Sequence, residues 1–345
     1  MTRGTMRAAI FEGPGRPLAI REVDAPVPGP GEALVRVAAC GLCHTDLHYI
    51  DHGVPTAKRP PLILGHEISG VVSGLGPGTA GPLPGERVLV PSVLPCGECE
   101  LCRTGRENIC PNLRMPGNHI DGGFAEYLAV PARALVPLPP DLDLARSAVI
   151  ADALTTPFHA VVRRGQVRSG DWVVVVGCGG VGINVVQFAA AMGANVIAVD
   201  LREDKRRMAR ELGACESLDP AGEGDLGRAV RKITGRGADV AFEVVGRPET
   251  VTLALSTLRR GGTLCVVGYS DSTVPLPLNR LMFFEYTILG SLGCRPVDYP
   301  RVVEMVRKGR VDLGKVVTNT LPLERIGEAI ADLREGRGFR TLLVP

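Results

Sequence analysis

The feature that most constrains the fold is the motif Gly177-Cys178-Gly179-Gly180-Val181-Gly182, which joins a buried apolar run to a helical pattern. The run DWVVVVG before it is typical of a strand covered on both faces, and residues 181–192 predict a helix. In this context Gly177 allows a tight turn, Gly179 lets the backbone approach a pyrophosphate, and Gly182 lets the helix pack against the strand. The motif predicts a dinucleotide-binding unit. The alternative is a glycine-rich turn without a ligand.

Asp200 ends the next predicted strand, NVIAVD. A carboxylate at this position can accept hydrogen bonds from the adenosine ribose and repels a 2′-phosphate, so the sequence favours NAD as the cofactor. Arg202, close by, leaves NADP open as the alternative.

The chain of 345 residues is long enough for two domains. Short β-branched runs bounded by Gly or Pro fill residues 1 to about 150 and predict an antiparallel barrel or sandwich. From about residue 153, strands alternate with helices, which predicts a parallel sheet covered on both faces. The tail after about residue 293 reads helix, strand, helix, strand. By pattern alone it could extend that sheet or return to the first domain.

Charge and hydropathy exclude several classes of protein. The net charge is only +2, and no basic block stands out, so nucleic acid is not an expected partner. No run approaches the ~20 apolar residues that a membrane span needs, and the N-terminal residues contain no apolar signal core. We therefore expect a cytoplasmic protein.

Four of the ten cysteines are clustered as Cys96-x₂-Cys99-x₂-Cys102-x₇-Cys110. Four thiolates at this spacing can surround one Zn²⁺ tetrahedrally, which leaves no position for a substrate and indicates a structural site. Unrelated thiols and a nucleic-acid zinc ribbon are the alternatives, and the near-neutral charge disfavours the ribbon.

A second group of candidate ligands is dispersed along the chain. Cys43 precedes His44-Thr45-Asp46-Leu47-His48, and His66 is followed by Glu67. Cys43 and His66 are metal-binding types, but an ordinary thiol and a core histidine are equally good interpretations. Asp152 lies in the apolar run SAVIADAL, where an ionised carboxylate needs a cation, unless it sits at a surface turn or helix end.

The segments CGLCHTDLH, GHEISGVV, CGECELCRTGRENIC, GCGGVG and VIAVD resemble, in order and spacing, the zinc-containing medium-chain alcohol dehydrogenases. The resemblance covers essentially the whole chain. It implies an α/β protein with a GroES-like β-barrel catalytic domain of residues 1–153 and 293–345. A Rossmann domain of residues 154–292, with a doubly wound parallel sheet, is inserted between them, and the active site lies in the cleft.

The resemblance also implies roles for individual residues. It implies two Zn²⁺ per chain, a structural one on the four cysteines and a catalytic one on Cys43, His66 and Asp152, with Glu67 beside it as an occasional ligand. Asp152 stands where many members have cysteine and some bacterial members have Asp followed by a Thr-Thr pair. Thr45 would take the substrate proton, His48 would release it to solvent, and Asp46 would orient the ligand histidine. Beyond the glycine motif and Asp200, the implied cofactor contacts are His44, Lys205, Arg247, Val267 and Arg340, with His44 and Arg340 near the pyrophosphate.

The implied reaction is reversible NAD-linked oxidation of an alcohol to a ketone or aldehyde. Aromatic content is only 4%, and Ser92 and Val93 stand where a bulky pocket residue is common, which favours a branched or cyclic secondary alcohol. ADALTTPFHAV and GSLGCRPVDYP also resemble dehydrogenases of 6-hydroxycyclohex-1-ene-1-carbonyl-CoA, an alternative in which four cations would meet the CoA phosphates: Lys58, Arg59, Arg163 and Arg164. A zinc-free reductase and a nucleotide-binding regulator are further alternatives, which the retained ligands and proton-relay residues disfavour. Family members suggest a homotetramer or homodimer.

Overall fold

A computed structural model describes residues 4–345, and the chain divides into two compact units. The first unit contains residues up to Thr155 together with Gly293–Gly309 and Leu313–Pro345, and the second contains Thr156–Leu292 with Arg310–Asp312. Across residues 4–345, none of the helices combines the length and the apolar character that a bilayer crossing requires.

Strands and helices follow one another throughout both units. The strands are β1 (Thr5–Phe11), β2 (Ala19–Asp24), β3 (Glu32–Leu42), β4 (Leu62–Ile63), β5 (Glu67–Leu75), β6 (Arg87–Val90), β7 (Tyr127–Pro131), β8 (Val136–Pro137), β9 (Trp172–Val176), β10 (Asn195–Val199), β11 (Glu216–Leu218), β12 (Ala238–Glu243), β13 (Leu258–Val266), β14 (Thr287–Gly290), β15 (Val317–Pro322) and β16 (Arg340–Val344). The α-helices are α1 (His44–Ile50), α2 (Glu100–Arg103), α3 (Thr155–Phe158), α4 (Gly182–Ala191), α5 (Glu203–Glu211), α6 (Leu226–Thr234), α7 (Pro248–Ser256), α8 (Leu278–Phe284), α9 (Tyr299–Arg307), α10 (Leu313–Val316) and α11 (Ile326–Arg334).

The first unit is built on a sheet in the order β15-β16-β3-β5-β6-β8, with β7 also paired to β3, and on a smaller sheet, β2-β1-β4. Strand β3 buries Ala33, Val35 and Val37 in alternation, as expected of a strand with one face in the core. Alternation stops near its end, where every residue from Ala39 to Leu42 is buried. The chain therefore enters α1 from inside the core.

The tail of the chain adds its last strand to this sheet. Strand β16 pairs antiparallel with β3, with Thr341 opposite Leu42 and Leu343 opposite Cys40. This pairing places Arg340, the first residue of β16, beside the end of β3. The alternation of helices and strands in the tail could not predict that return, because pairing partners distant in sequence leave no local signal.

The second unit holds a parallel sheet in the order β11-β10-β9-β12-β13-β14, the strand order of a Rossmann fold. Strand β12 is buried at every position, and β9 and β10 are buried beyond their first residues, which is typical of a sheet covered on both faces. The predicted α/β class with a doubly wound parallel sheet is thereby confirmed. In this topology, ligands bind at the carboxyl ends of the strands, where the order reverses about β9.

Candidate active site and metal centres

Several predicted site residues lie at the start of α1, directly after β3. Cys43 is the N-cap of α1, and its backbone N–H donates to Oδ2 of Asp46 at 2.9 Å, which fixes the first turn. Sγ of Cys43 lies 3.7 Å from Oγ1 of Thr45. His48 follows one turn later, and its Nδ1 is 3.2 Å from Nδ1 of His52, a contact that the sequence analysis did not foresee. His52 lies beyond Asp51, the C-cap of α1, and its spacing of four residues from His48 was the available signal.

His66 and Glu67 enter the same region from the loop before β5. Gly65 in this loop has φ +94°, and a Cβ there would lie 2.7 Å from Sγ of Cys40 and 2.8 Å from the ring of Phe124. Only glycine fits the conformation and the space. The loop therefore delivers His66 and Glu67 into the core, where their exposed fractions are 1% and 0%.

Asp152 lies at the C-terminal end of a 3₁₀ helix, Arg146–Ala151, and its Oδ2 is 3.7 Å from Nε2 of His66 and 4.0 Å from Sγ of Cys43. The C-terminus of a helix disfavours a carboxylate, and the next helix begins only at Thr155, so Asp152 is not an N-cap. Its carboxylate is directed at the other candidate ligands.

The cluster of Cys43, His66, Glu67 and Asp152 is crowded with groups that can carry negative charge. One ligand atom of each residue lies within 4.8 Å of the others. Burial alone would lower the pKa of His66, but Asp152 and Cys43 raise it well above its usual value, and burial raises the pKa of Glu67 to about 7. Among the residues that the structure describes, neither ring nitrogen of His66 has a hydrogen-bond partner. A cation among these groups would therefore be stabilised.

A zinc ion fits this cluster. Sulfur, nitrogen and oxygen ligands at about 2.0–2.3 Å in a tetrahedron are separated by about 3.4–3.6 Å, close to the separations of 3.7 and 4.0 Å around Asp152. A divalent cation would engage a ring nitrogen of His66 and offset two negative charges. The structure brings together all four residues predicted at or beside the catalytic zinc.

Asp46 and Arg340 flank the cluster. Asp46 is fully buried, its Oδ1 lies 3.8 Å from Nδ1 of His66, and burial raises its pKa. Nη2 of the buried Arg340 lies 3.1 Å from Oε1 of Glu67, and its Nη1 donates to the carbonyl oxygen of Leu42 at 3.1 Å. The structure therefore pairs Arg340 with Glu67, and the contact of Arg340 with the pyrophosphate that the resemblance implies stays a prediction.

The four-cysteine segment has the dimensions of a second metal site. Its Sγ atoms are separated by 3.5 Å (Cys96–Cys110), 3.7 Å (Cys99–Cys110) and 3.9 Å (Cys96–Cys102). A disulfide would require about 2.05 Å, whereas a zinc tetrahedron with Zn–S bonds of about 2.3 Å has edges of about 3.8 Å. Backbone N–H groups of Glu98 and Cys99 lower the pKa of Cys96 to about 6, and burial raises that of Cys102 to about 12.

The glycine motif forms the turn between β9 and α4. Gly177 has φ +92°, and a Cβ at Gly182 would collide with the carbonyl oxygen of Gly177, so the helix packs as closely as predicted. The space about Gly179 is open: apart from its chain neighbours, nothing in residues 4–345 lies within 4 Å of a Cβ placed there. Oδ2 of Asp200 accepts a hydrogen bond from the backbone N–H of Cys178 at 2.8 Å. This bond ties the turn to the end of β10.

The other predicted cofactor residues lie in different environments. Lys205 is buried in the first turn of α5, and burial lowers its pKa. Arg247 is the exposed N-cap of α7, and His44 is exposed at the start of α1. Val267 follows β13 and donates its backbone N–H to the carbonyl oxygen of Glu243 at 2.8 Å. Gly180 precedes Val181, the N-cap of α4. Contacts of all these residues with a cofactor stay predictions.

Glu243, at the end of β12, was missed by the sequence analysis. Its carboxylate is fully buried and accepts hydrogen bonds from the N–H groups of Val245 and Gly246, at 2.9 and 2.8 Å, and from the hydroxyl of Thr250 at 2.7 Å. It shapes the turn at the carboxyl edge of the sheet, where nucleotides bind in this topology. The signal was present, because a carboxylate within the run ADVAFEVV needs partners.

Two family models match the chain. Residues 29–140 match "Alcohol dehydrogenase GroES-like domain", and residues 180–308 match "Zinc-binding dehydrogenase". An alcohol dehydrogenase of Geobacillus stearothermophilus is 35% identical over 333 residues, which cover 96% of each chain.

Solved structures resemble the whole chain. A crystal structure of an NAD-dependent alcohol dehydrogenase superimposes with a TM-score of 0.91 at 33% identity, covering 99% of this chain and 100% of the other. A protein described as a zinc-binding dehydrogenase of Sinorhizobium meliloti 1021, bound to NADP, also has a TM-score of 0.91, at 32% identity, with coverage of 99% and 100%.

Proposed function

The chain belongs to the zinc-containing medium-chain alcohol dehydrogenase family, and on that premise we propose that it oxidises a branched or cyclic secondary alcohol to a ketone, reversibly and with NAD. The predicted family, and its activity as an alcohol dehydrogenase, are confirmed. The observation that carries the finer proposal is the set of the buried Cys43 and His66 and the partly exposed Asp152 beside the Thr45 hydroxyl.

Cys43, His66 and Asp152 would hold the catalytic zinc, with Glu67 as an additional or exchanging ligand. When bound, the ion acts as a Lewis acid that lowers the pKa of the substrate hydroxyl, and the nicotinamide accepts the hydride. Two observations support this assignment: the ligand separations, and the ring nitrogens of His66, which have no hydrogen-bond partner within residues 4–345.

Thr45 and His48 would carry the substrate proton. Oγ1 of Thr45 lies 3.7 Å from the Cys43 thiol, within reach of a hydroxyl bound there, and would accept its proton. His48 stands three residues further along α1, on the same helix face, and is half-buried, so its imidazole can pass the proton to solvent.

Asp46, Glu67 and Arg340 would set the charge around the ligands. The Asp46 carboxylate faces Nδ1 of His66 at 3.8 Å and favours the tautomer that leaves Nε2 available as a ligand. The ion pair with Arg340 engages Oε1 of the Glu67 carboxylate at 3.1 Å. Exchange of Glu67 into the metal sphere would require this ion pair to loosen.

The four cysteines Cys96, Cys99, Cys102 and Cys110 would hold a structural zinc, giving two Zn²⁺ per chain. Four ligands of one kind close the coordination sphere, so this ion would stabilise its lobe and would not meet a substrate.

NAD is the proposed cofactor, because Asp200 stands at the end of β10 with the glycine turn beside it. Replacing Asp200 with Gly should narrow the preference for NAD, since it removes a ribose acceptor together with a charge that repels a 2′-phosphate. The ratio of kcat/KM values for NAD and NADP measures the preference, and wild-type enzyme that uses NADP equally well or better contradicts the proposal.

Small buried residues support a bulky substrate. Ser92 and Val93 are 3% and 8% exposed, and both side chains are smaller than an aromatic ring. Two of the cations considered for CoA already have protein partners: Lys58 pairs with Asp121 at 2.5 Å, and Arg164 donates to the carbonyl oxygen of Gly290 at 2.8 Å. These contacts favour a free alcohol over a CoA thioester.

A homotetramer or homodimer is the proposed assembly, formed at one edge of the parallel sheet. Among the strands that the structure describes, β14 has one neighbour, β13. Helix α8, just before it, exposes Leu278, Met282 and Phe283 by 76%, 64% and 70%. An apolar surface beside an open strand edge is typical of a face that a second copy covers. A monomeric mass by light scattering at micromolar concentration would contradict this. A cytoplasmic location stays a prediction.

The test of function combines substrates with metal analysis. Purified protein is offered branched and cyclic secondary alcohols, cyclic enones and acyl-CoA thioesters, and NADH absorbance is followed. We expect NAD reduction with the secondary alcohols and two zinc ions per chain by elemental analysis. Turnover confined to the thioesters, or one zinc or none, would contradict the proposal.

A further inference from the structure

Arg202 is engaged by a carboxylate on its own helix turn. Nε and Nη2 of Arg202 lie 3.0 and 3.1 Å from Oδ1 and Oδ2 of Asp204, a bidentate ion pair. The pairing raises the pKa of Arg202 and lowers that of Asp204. Because the backbone N–H of Arg202 also donates to Oδ1 of Asp200 at 2.9 Å, the whole residue is fixed beside the proposed ribose acceptor.

The neighbouring cations are directed elsewhere. Nη1 of Arg206 donates to the carbonyl oxygens of Asp200 and Leu201 at 2.7 and 2.9 Å and lies 3.2 Å from Oδ2 of Asp219. Lys205 is buried. Arg202 is thus the exposed guanidinium nearest in sequence to Asp200, and a nearby Arg is what accommodates the 2′-phosphate in NADP-dependent members of this fold.

We propose that Asp204 is a specificity-determining residue, which disfavours NADP by holding Arg202 in this ion pair. The inference rests on the proposed preference for NAD and deepens it. A 2′-phosphate would have to displace the Asp204 carboxylate from Arg202 before it could pair with that guanidinium. Asp200 acts on the ribose directly, whereas Asp204 acts through Arg202.

The size of the effect follows from the exposure of the pair. Arg202 and Asp204 have side chains 46% and 44% exposed, and exposed ion pairs have modest energies. Release of Arg202 should therefore strengthen NADP binding by about five-fold, with no gain for NAD, which lacks the phosphate.

The test measures binding of NADPH and NADH to the zinc-loaded protein by calorimetry, so it does not depend on turnover. In Asp204→Asn, we expect the Kd for NADPH to fall by about five-fold and that for NADH to change by less than about two-fold.

Glu203→Gln is the matched control, because it removes the same charge one residue earlier, from a carboxylate that pairs with Arg206 and Arg210 at 2.8 and 2.9 Å. It should leave the Kd for NADPH within about two-fold of wild type. In the double variant Arg202→Ala and Asp204→Asn, the gain should disappear.

Three results would overturn the inference: an unchanged Kd for NADPH in Asp204→Asn, an equal gain in Glu203→Gln, or a gain that persists without Arg202. Tighter binding of NADPH than NADH by the wild-type protein would instead contradict the proposed cofactor. The two failures are therefore distinguishable.

Discussion

The four-cysteine segment and the cluster of Cys43, His66, Glu67 and Asp152 are both proposed zinc sites of the first unit, but they are assembled differently. One takes four sulfur ligands from residues 96–110, mostly loop and one short helix. The other takes sulfur, nitrogen and oxygen from three segments, each at the end of a core element, and is flanked by Asp46 and Arg340.

This difference separates two uses of the same ion. Four thiolates fill the coordination sphere of zinc and leave no position for a substrate. The zinc then cross-links its own segment of chain and stabilises the fold. A mixed set that includes the partly exposed Asp152 and lies beside a hydroxyl can leave one position for substrate. The comparison predicts that variants of one set change turnover and variants of the other change stability.

The largest effect is expected for Cys43→Ser, which keeps the size of the side chain but loses the thiolate. Loss of the catalytic zinc should reduce kcat by about 10³-fold or more, since Lewis-acid activation is worth several kcal/mol. The melting temperature should change little, and one zinc should remain. Steady-state kinetics and elemental analysis test this. A Cys43→Ser variant that keeps both zinc ions and a near-normal kcat would contradict the proposed difference between a catalytic and a structural site.

The second effect in size concerns Asp152→Asn, an isosteric change that removes the carboxylate charge. We expect catalytic-site zinc to be held more weakly, so that its occupancy falls sharply without vanishing, and kcat/KM to fall by about 10²-fold, because a neutral amide is a poorer zinc ligand than a carboxylate. Asp143→Asn is the matched control, since Asp143 caps the same 3₁₀ segment by accepting from the N–H of Arg146 at 2.8 Å. The control should keep both ions and most activity.

An Asp152→Asn variant with two zinc ions and near-normal kcat would show that the charge has another purpose. Asp152→Cys, in contrast, should keep the metal and alter the pH dependence of turnover, because sulfur donates more electron density than a carboxylate oxygen.

The same contrast explains how much the sequence could predict. The four-cysteine site and the glycine turn were predictable because the residues that form each of them lie close together in the sequence. Their local spacing fixes their geometry. Cys43, His66 and Asp152 are dispersed, and their residue types alone left ordinary alternatives open. Family resemblance supplied the grouping, and the structure brings the three together.

Contacts that depend on the return of the tail had no sequence signal. Arg340 meets Glu67 only because β16 pairs with β3, and the pattern of the tail did not indicate this pairing. The sequence also could not predict which of several neighbouring groups a side chain contacts. Arg202 could face Asp200, Asp204 or solvent, and only the structure shows its bidentate pair with Asp204.

The third effect falls on stability. Cys99→Ser removes one sulfur ligand from the four-cysteine site, whose zinc should then be lost while the catalytic ligands stay intact. Loss of a structural metal is among the most destabilising single changes, and we expect the melting temperature to fall by about 10 °C. Differential scanning calorimetry measures this. An unchanged melting temperature with one zinc lost would show that the segment holds its shape without metal, which would weaken the comparison.

The smallest effect is confined to the four-cysteine site and sharpens the comparison by asking whether its four sulfurs are equivalent. Backbone N–H groups hold the pKa of Cys96 at about 6, and burial raises that of Cys102 to about 12. Thiolate is the reactive form, so at pH 7 Cys96 is mostly ionised and Cys102 is not. In zinc-free protein, iodoacetamide should label Cys96 at least about tenfold faster than Cys102, as read by peptide mass spectrometry.

Because the pKa of Cys96 is lowered, its thiolate exists above about pH 6 and is lost below it. Its labelling rate should therefore fall about tenfold between pH 7 and pH 5.

Zinc-loaded protein is the control, in which both cysteines should be protected. Equal rates for the two cysteines, or a Cys96 rate independent of pH, would mean that the metal-free segment does not keep the backbone arrangement that lowers the pKa of Cys96. Zinc would then create the geometry of this site instead of binding to a preformed one.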